Sequence, residues 1–220
     1  MIVQALVFDL WNTLAASGAP INPVIALGRQ LKDAGCTDWL RAIERGMMRR
    51  PMHDIDAALP SIEAAAGVTL STEDRAAAAA LWRDAATEVE LFPDVLPNLD
   101  RLRGRFRLAL LSNTQSFDMG FLQTSGLASR FETVQLSCDT GILKPDRRAF
   151  AAVGAALAAA PCEMLMIGDN WKDDVLGARE AGLQALLIRR NGSALSHREA
   201  DRGERSITSL DTLASLLAAA

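Results

Sequence analysis

Beyond residue 92 short apolar runs alternate with helical patterns, without an internal sequence repeat. The runs cover residues 106–111, 132–137, 164–167 and 184–188, and an earlier one, 2–8, stands alone near the start. Apolar runs this short read as buried strands. Strands that alternate with helices imply an α/β fold, a doubly wound parallel sheet with right-handed crossovers. The intervening helices are predicted at about 94–103, from Asn113 towards Leu127, at 146–159 and at 173–181, the last closed by Gly182. A final helix at about 209–219 carries Leu210, Leu213, Leu216 and Leu217 on one face, after a polar loop at 191–204. Three strands end on polar residues: Asp9, then Ser112-Asn113, then Gly168-Asp169. Open sheets bind ligands beyond the carboxyl ends of their strands, where the strand order reverses. For the three tips to meet, the first strand must lie between the second and the fourth, which predicts the order 5-4-1-2-3.

Between the first strand and the rest lie four helical patterns. Asn22-Pro23 supplies an N-cap and first-turn proline, and Gly35 closes that helix. The others span about 38–50, ended by Pro51, then 55–67, then a segment opening on Ser71-Thr72-Glu73-Asp74 like a capping box and running to about 88. The small residues 15–20 and the Phe92-Pro93-Asp94 stretch read as hinges. The expected organisation is an α/β unit from 1–15 and 92–220 and an all-helical unit from 16–91.

Half of the 220 residues are apolar, enough for a sizeable core, and the net charge of −4 argues against nucleic acid or a membrane surface as partner. No basic leader and no long apolar span is present, and three unpatterned cysteines suit a reducing compartment. The expectation is a cytoplasmic protein, monomer or homodimer.

Asp9 terminates a buried strand, where an idle charge is costly, so it is the first candidate for reactivity. Four stretches resemble the haloacid dehalogenase superfamily of hydrolases in order and spacing. They are Phe8-Asp9-Leu10-Trp11-Asn12-Thr13-Leu14, Leu111-Ser112-Asn113, Leu143-Lys144-Pro145, and Ile167-Gly168-Asp169 with Asp174, Gly177 and Ala178. The resemblance implies that the helical segment is a cap. It makes Asp9 the nucleophile that forms a covalent aspartyl intermediate. Ser112 and Asn113 would hold the transferring group, and Lys144 would neutralise charge. Asp9, Asp169 and the main-chain carbonyl of Trp11 would ligate Mg2+, with Asp174 and Asp173 supporting the metal.

The chain departs from that pattern where the superfamily's phosphatases carry a second Asp, the acid/base, two residues after the nucleophile. Trp11 stands there, and Asn12 replaces the usual glycine. Three readings follow: an Mg2+-dependent phosphatase of a small phosphorylated metabolite, an ester or anhydride with a good leaving group or one whose proton another residue supplies; a 2-haloacid dehalogenase-like enzyme; or a relative that binds or regulates with little turnover. The dehalogenase branch has an aromatic at this position, echoed by Trp11, but lacks the Gly168-Asp169 pair; the aromatic after Lys144-Pro145 is Phe150, without a hydroxyl. A Schiff-base phosphonate chemistry would need a cap lysine, and only Lys32 offers one, in mid-helix. Specificity is expected from Arg45, Arg49, Arg50 and His53, near Met47, Met48 and Pro51. Trp39 and Trp82 are expected in the cap core, with Trp171 either packed or lining the site.

Overall fold

The computed structural model describes residues 3–86, 88–191 and 206–218. In chain order it places β1 (Ala5–Phe8) and β2 (Ala15–Ser17), then α1 (Pro23–Asp33), α2 (Trp39–Met47), α3 (Ile55–Ala66) and α4 (Thr72–Ala86). Next come β3 (Val89–Leu91), α5 (Val95–Leu102), β4 (Arg107–Ser112), α6 (Phe121–Thr124), β5 (Thr133–Leu136), α7 (Ser137–Thr140) and α8 (Arg147–Ala156). The chain continues through β6 (Met164–Gly168), a π-helical turn at Trp171–Leu176, α9 (Gly177–Glu180), β7 (Gln184–Ile188), β8 (Ser206–Ile207) and α10 (Leu210–Ala218). The sheet runs β5-β4-β1-β6-β7-β8, all parallel. The expected order is therefore found, with β8 added at one edge. The predicted loop at 191–204 lies outside the described residues, apart from Asn191.

Successive residues of a strand face opposite sides of the sheet. Leu6, Phe8, Leu108 and Leu110 join one core with Val95 and Leu99 of α5 and Leu210 and Leu213 of α10. Ala5, Val7, Ala109 and Leu111 join the other core, with Phe150 and Val153 of α8. Both faces are covered, which explains why β1 is apolar throughout rather than alternating.

The four helices between β2 and β3 bury their own core, including Leu27, Leu31, Ile43, Met47 and Ile62. Trp82 is buried in this core and Trp39 packs against it, as expected. Asn22 caps α1 through the Val24 and Ile25 N–H groups, and the Ser71 hydroxyl accepts from the Asp74 N–H at the start of α4. Phe117, from the loop after β4, joins this core with its ring 5.8 Å from that of Trp82.

Four local expectations are corrected. The hinge at 15–20 contains β2, which pairs antiparallel with β3, Ala16 opposite Glu90, so both crossings into the helical segment are tied in one ribbon. No long helix fills 113–127. Phe117 is buried among α1–α4, whereas Met119, Leu122 and Leu127 are buried against the sheet, and a single helical stripe cannot serve both. The strand predicted at 132–137 gives way at Ser137 to α7. The helix expected from 173 begins as the π turn at Trp171.

Candidate active site

The tips of β1, β4 and β6 and the loop before α8 converge on Lys144. Its ammonium donates to Asp9 Oδ1 at 2.7 Å and to Asp174 Oδ1 at 2.6 Å, and all three side chains are buried. Asp9 stays in register with the sheet, its N–H donating to the Ile167 carbonyl at 2.9 Å. Asp169 completes the group: carboxylate oxygens of Asp9, Asp169 and Asp174 lie within 4.8 Å of one another.

Backbone geometry explains several motif residues. Asn12 has φ +54°, a left-handed conformation that Gly or Asn accepts most readily. Asn therefore fits where glycine would, and its side chain donates to Asp169 Oδ2 at 3.2 Å. A Cβ on Gly168 would run into the Asp174 carboxylate, so the residue before Asp169 must be glycine for the two acids to approach. The π turn carrying Asp173 and Asp174 opens on Asn170, whose Oδ1 accepts from the Lys172 and Asp173 N–H groups. Turns of this kind are frequent at functional sites.

Asn113 clasps the backbone of Lys144. Its Oδ1 accepts from the Lys144 N–H at 2.8 Å and its Nδ2 donates to the Lys144 carbonyl at 3.0 Å. What the geometry places on Asn113 is the task of fixing the lysine backbone. Ser112 is buried at the β4 tip, and its Oγ has no hydrogen-bond partner among the described residues. Trp11 donates its indole N–H to the Thr114 hydroxyl at 3.0 Å and tilts against Phe121.

The site is charged beyond what one lysine offsets. Burial pushes the Asp9 carboxyl up to about 7, against the pull of Lys144 and with the help of Asp174 and Asp169. Burial and Asp174 push Asp169 up to about 6. Burial disfavours the Lys144 charge, but Asp174 and Asp9 outweigh it and hold the ammonium above the ordinary lysine range.

A cavity of about 280 Å³ opens over these groups, lined by Asp9, Asn113, Lys144 and Asp169 below and by residues of α1, α2 and α4 above. The arginines expected to face it do not. Arg45, Arg49, Arg50 and His53 are exposed and absent from its wall; Arg49 donates to the Gly141 carbonyl, Arg50 to Ser61, and His53 pairs with Asp54. Met47 is buried in the helical core, and only Met48 of that pair reaches the cavity. Trp171 lies under the Arg179 guanidinium, 5.9 Å from its ring centroid, rather than in the wall.

Two residues were not foreseen. Arg41 on α2 bridges to the sheet unit, donating to Glu44 Oε2 and Asp173 Oδ1, each at 2.6 Å. Arg190, after β7, donates to the Thr13 carbonyl at 2.9 and 2.7 Å and to Asp94 Oδ2 at 2.7 Å, holding the loop that follows Asp9. The long-range contacts leave no local signal: Arg41 to Asp173 spans 132 residues and Arg190 to Thr13 spans 177.

A family model described as hydrolase, haloacid dehalogenase-like hydrolase, matches residues 3–182. The chain belongs to this family. It is similar to a phosphoserine phosphatase of Thermus thermophilus, 40% identical over 102 residues, which are 46% of this chain and 41% of that protein. The matches to the curated relatives span about half of those proteins' lengths. Among solved structures it resembles an HAD phosphatase from Thermococcus onnurineus (TM-score 0.65, 22% identity, 98% of each chain covered). A 2-haloacid dehalogenase from Pseudomonas syringae pv. Tomato DC3000 is equally similar (TM-score 0.64, 23% identity, 99% of each chain covered). At these identities the two structures establish the fold and do not separate phosphatase from dehalogenase. No helix among the described residues is long and apolar enough to cross a membrane.

Proposed function

We propose that the protein is an Mg2+-dependent phosphatase that acts through Asp9 on a small phosphorylated metabolite. The observation that carries this reading is the gathering of Asp9, Asp169 and Asp174 around Lys144 in one cavity. Three clustered carboxylates, two of them held above their ordinary range, are a donor set with surplus negative charge, and oxygen donors suit a hard divalent cation. Asp9, Asp169, Asp174 and the Trp11 carbonyl would hold Mg2+, which when bound offsets that charge and polarises the phosphoryl oxygens.

The chain's own groups account for the chemistry. An Asp9 carboxylate oxygen attacks phosphorus, the bond from phosphorus to the ester oxygen breaks, and an aspartyl-phosphate forms. Water then cleaves that anhydride, releasing phosphate and restoring the carboxylate. Lys144 steadies the charge on Asp9 throughout. The buried, unpartnered Ser112 hydroxyl is available to the phosphoryl oxygens. The four-helix segment acts as a cap that excludes water from the cavity. The match to a phosphoserine phosphatase supports phosphoryl chemistry, and the unpaired Cys36, Cys138 and Cys162 support a reducing, cytoplasmic setting.

Trp11 keeps the dehalogenase reading in play, since halide departs without a proton. Against it, the acidic cluster would repel the carboxylate of a 2-haloacid. The deciding experiment measures phosphate release from a panel of phosphate esters and halide release from 2-haloacids, each with Mg2+ and with excess chelator. Mg2+-dependent phosphate release lost in Asp9→Asn supports the proposal. Metal-independent halide release overturns it.

A further inference from the structure

We infer that the substrate is the phosphate ester of an apolar, acidic hydroxyl, an aryl or enol phosphate with no second anionic group. This rests on the phosphatase reading of the Asp9 site and narrows it to a substrate class.

The first argument is the upper wall of the cavity. Ile25 of α1, Leu40 of α2, Met48, Trp82 of α4 and Val89 face it. Ile25 and Leu40 are 42% and 39% exposed, so the wall offers apolar surface that the protein does not itself cover. Pockets of this kind hold the organic body of a ligand by contact and use a few polar groups for orientation.

The second argument is charge. Among the described residues the cavity is lined by the carboxylates of Asp9, Glu44, Asp118, Asp169, Asp173 and Asp174 and by a single cation, Lys144. That lysine is already bonded to Asp9 and Asp174. The nearby arginine, Arg41, is committed to Glu44 and Asp173 and does not line the wall. Among the described residues no lining cation is left to receive a carboxylate or a second phosphate at the far end of the substrate, and the six acids still outnumber the charges that Lys144, Arg41 and a bound Mg2+ would supply, so a second anion is disfavoured.

The third argument is independent of the wall. The indole of Trp11 gives its N–H to Thr114, so the side chain two positions after Asp9 supplies no acid. When the Asp9 oxygen bonds to phosphorus, the electron pair of the breaking bond leaves on the ester oxygen. An aryloxide or enolate carries that pair without being protonated, and an alkoxide does not. Both ends of the cavity therefore favour the same class.

The test compares 1-naphthyl phosphate, phenyl phosphate and 4-carboxyphenyl phosphate in saturating Mg2+. The carboxylated phenol is no weaker an acid than phenol, so chemistry alone would not slow its ester. We expect kcat/KM for the naphthyl ester to exceed that of the carboxylated one by about tenfold or more, the direction like-charge repulsion dictates. Leu40→Arg, at an exposed position, should narrow this gap by raising the carboxylated ester and lowering the naphthyl one. Binding of the matching phosphonates, measured by calorimetry, reads the same preference without turnover. Equal or reversed preference, with Asp9-dependent phosphate release intact, overturns this inference alone. Absence of turnover with every ester, alongside selective binding of the naphthyl phosphonate, overturns the phosphatase reading and sustains the apolar site.

Discussion

The indole N–H of Trp11 donates to the hydroxyl of Thr114 at 3.0 Å. Thr114 is fully buried and its own hydroxyl donates to Gln115 Oε1 at 3.1 Å. The tryptophan ring also leans on Phe121, with centroids 5.7 Å apart. A residue placed beside the nucleophile is thus committed to a buried chain of hydrogen bonds and an aromatic contact. It shapes the floor of the cavity and has no acidic proton to give.

Trp11→Asp should therefore restore acid assistance selectively. General acid–base help is worth about 10²–10⁴ in rate, so turnover of an alkyl phosphate should rise by at least about tenfold relative to an aryl phosphate. The exchange also removes the contact with Phe121 and the donor to Thr114, and the expected loss of stability is about 1–3 kcal/mol. Kinetics on both esters and a thermal melt of the same preparation check this. A folded variant with an unchanged alkyl-to-aryl ratio contradicts the account.

Asn113→Ala should damage the site through Lys144. Both amide contacts to the lysine backbone disappear, leaving a partly buried N–H and carbonyl without their partner. Unfolding in urea should show a loss of about 1–3 kcal/mol. A lysine free to drift costs more in kcat than in KM, and misplacement of this kind lowers rates by about 10²-fold. Asn113→Asp retains the acceptor for the Lys144 N–H and should fall between the two.

Much of this arrangement was legible because its signals are local. Asp9, Ser112-Asn113 and Gly168-Asp169 each follow an apolar run directly, so the strand order could be argued from the need for the tips to meet. The cation content of the cavity was not legible. Arg41, Arg45, Arg49 and Arg50 crowd one short stretch, and only the packing of α2 against the sheet decides that Arg41 points inward and the others out. Ala15–Ser17 is held by backbone pairing with Val89–Leu91, and small side chains carry no period to betray a strand. The two-residue β8 escapes for a similar reason, being too short for any alternation to register.

Protons and Mg2+ should compete for the acidic cluster. In the metal-free protein Asp9 is pushed up to about 7 and Asp169 to about 6, both above the ordinary carboxylate range. A carboxyl whose folded-state pKa is raised stabilises the fold while it keeps its proton. That stability is full below the ordinary carboxylate value of 3.8 and is lost progressively as pH rises from there to about 6 for Asp169 and about 7 for Asp9. In chelator, melting temperature should fall across that window, and Mg2+ should oppose the fall. Because bound metal displaces these protons, affinity for Mg2+ should rise over the same window with net proton release. Calorimetry in two buffers of different ionisation enthalpy measures the protons directly; metal binding with no proton release near pH 6 would contradict the assignment.

Arg41 fixes the helical segment to the sheet unit, and its removal should be costly for an identifiable reason. Glu44 and Asp173 are buried, and Arg41 donates to both at 2.6 Å while remaining 18% exposed. Arg41→Ala leaves two buried carboxylates without this cation. Breaking a buried pair costs about 3–5 kcal/mol, and the partial solvation of Arg41 brings the expectation down to about 2–3 kcal/mol. Arg41→Lys keeps the charge but loses the planar fork that reaches both acids, so it should recover only part of the loss. Adding Glu44→Gln to Arg41→Ala removes one stranded charge and should restore stability rather than subtract further, a non-additivity that a double-mutant cycle reads as coupling. The pH dependence has a fixed sign. Burial already raises the Glu44 carboxyl against the pull of Arg41, and without the arginine it rises further. The deficit of Arg41→Ala should therefore shrink as pH falls and the carboxyl takes up a proton. A deficit that is constant with pH, and additive with Glu44→Gln, would mean that Arg41 acts by packing alone.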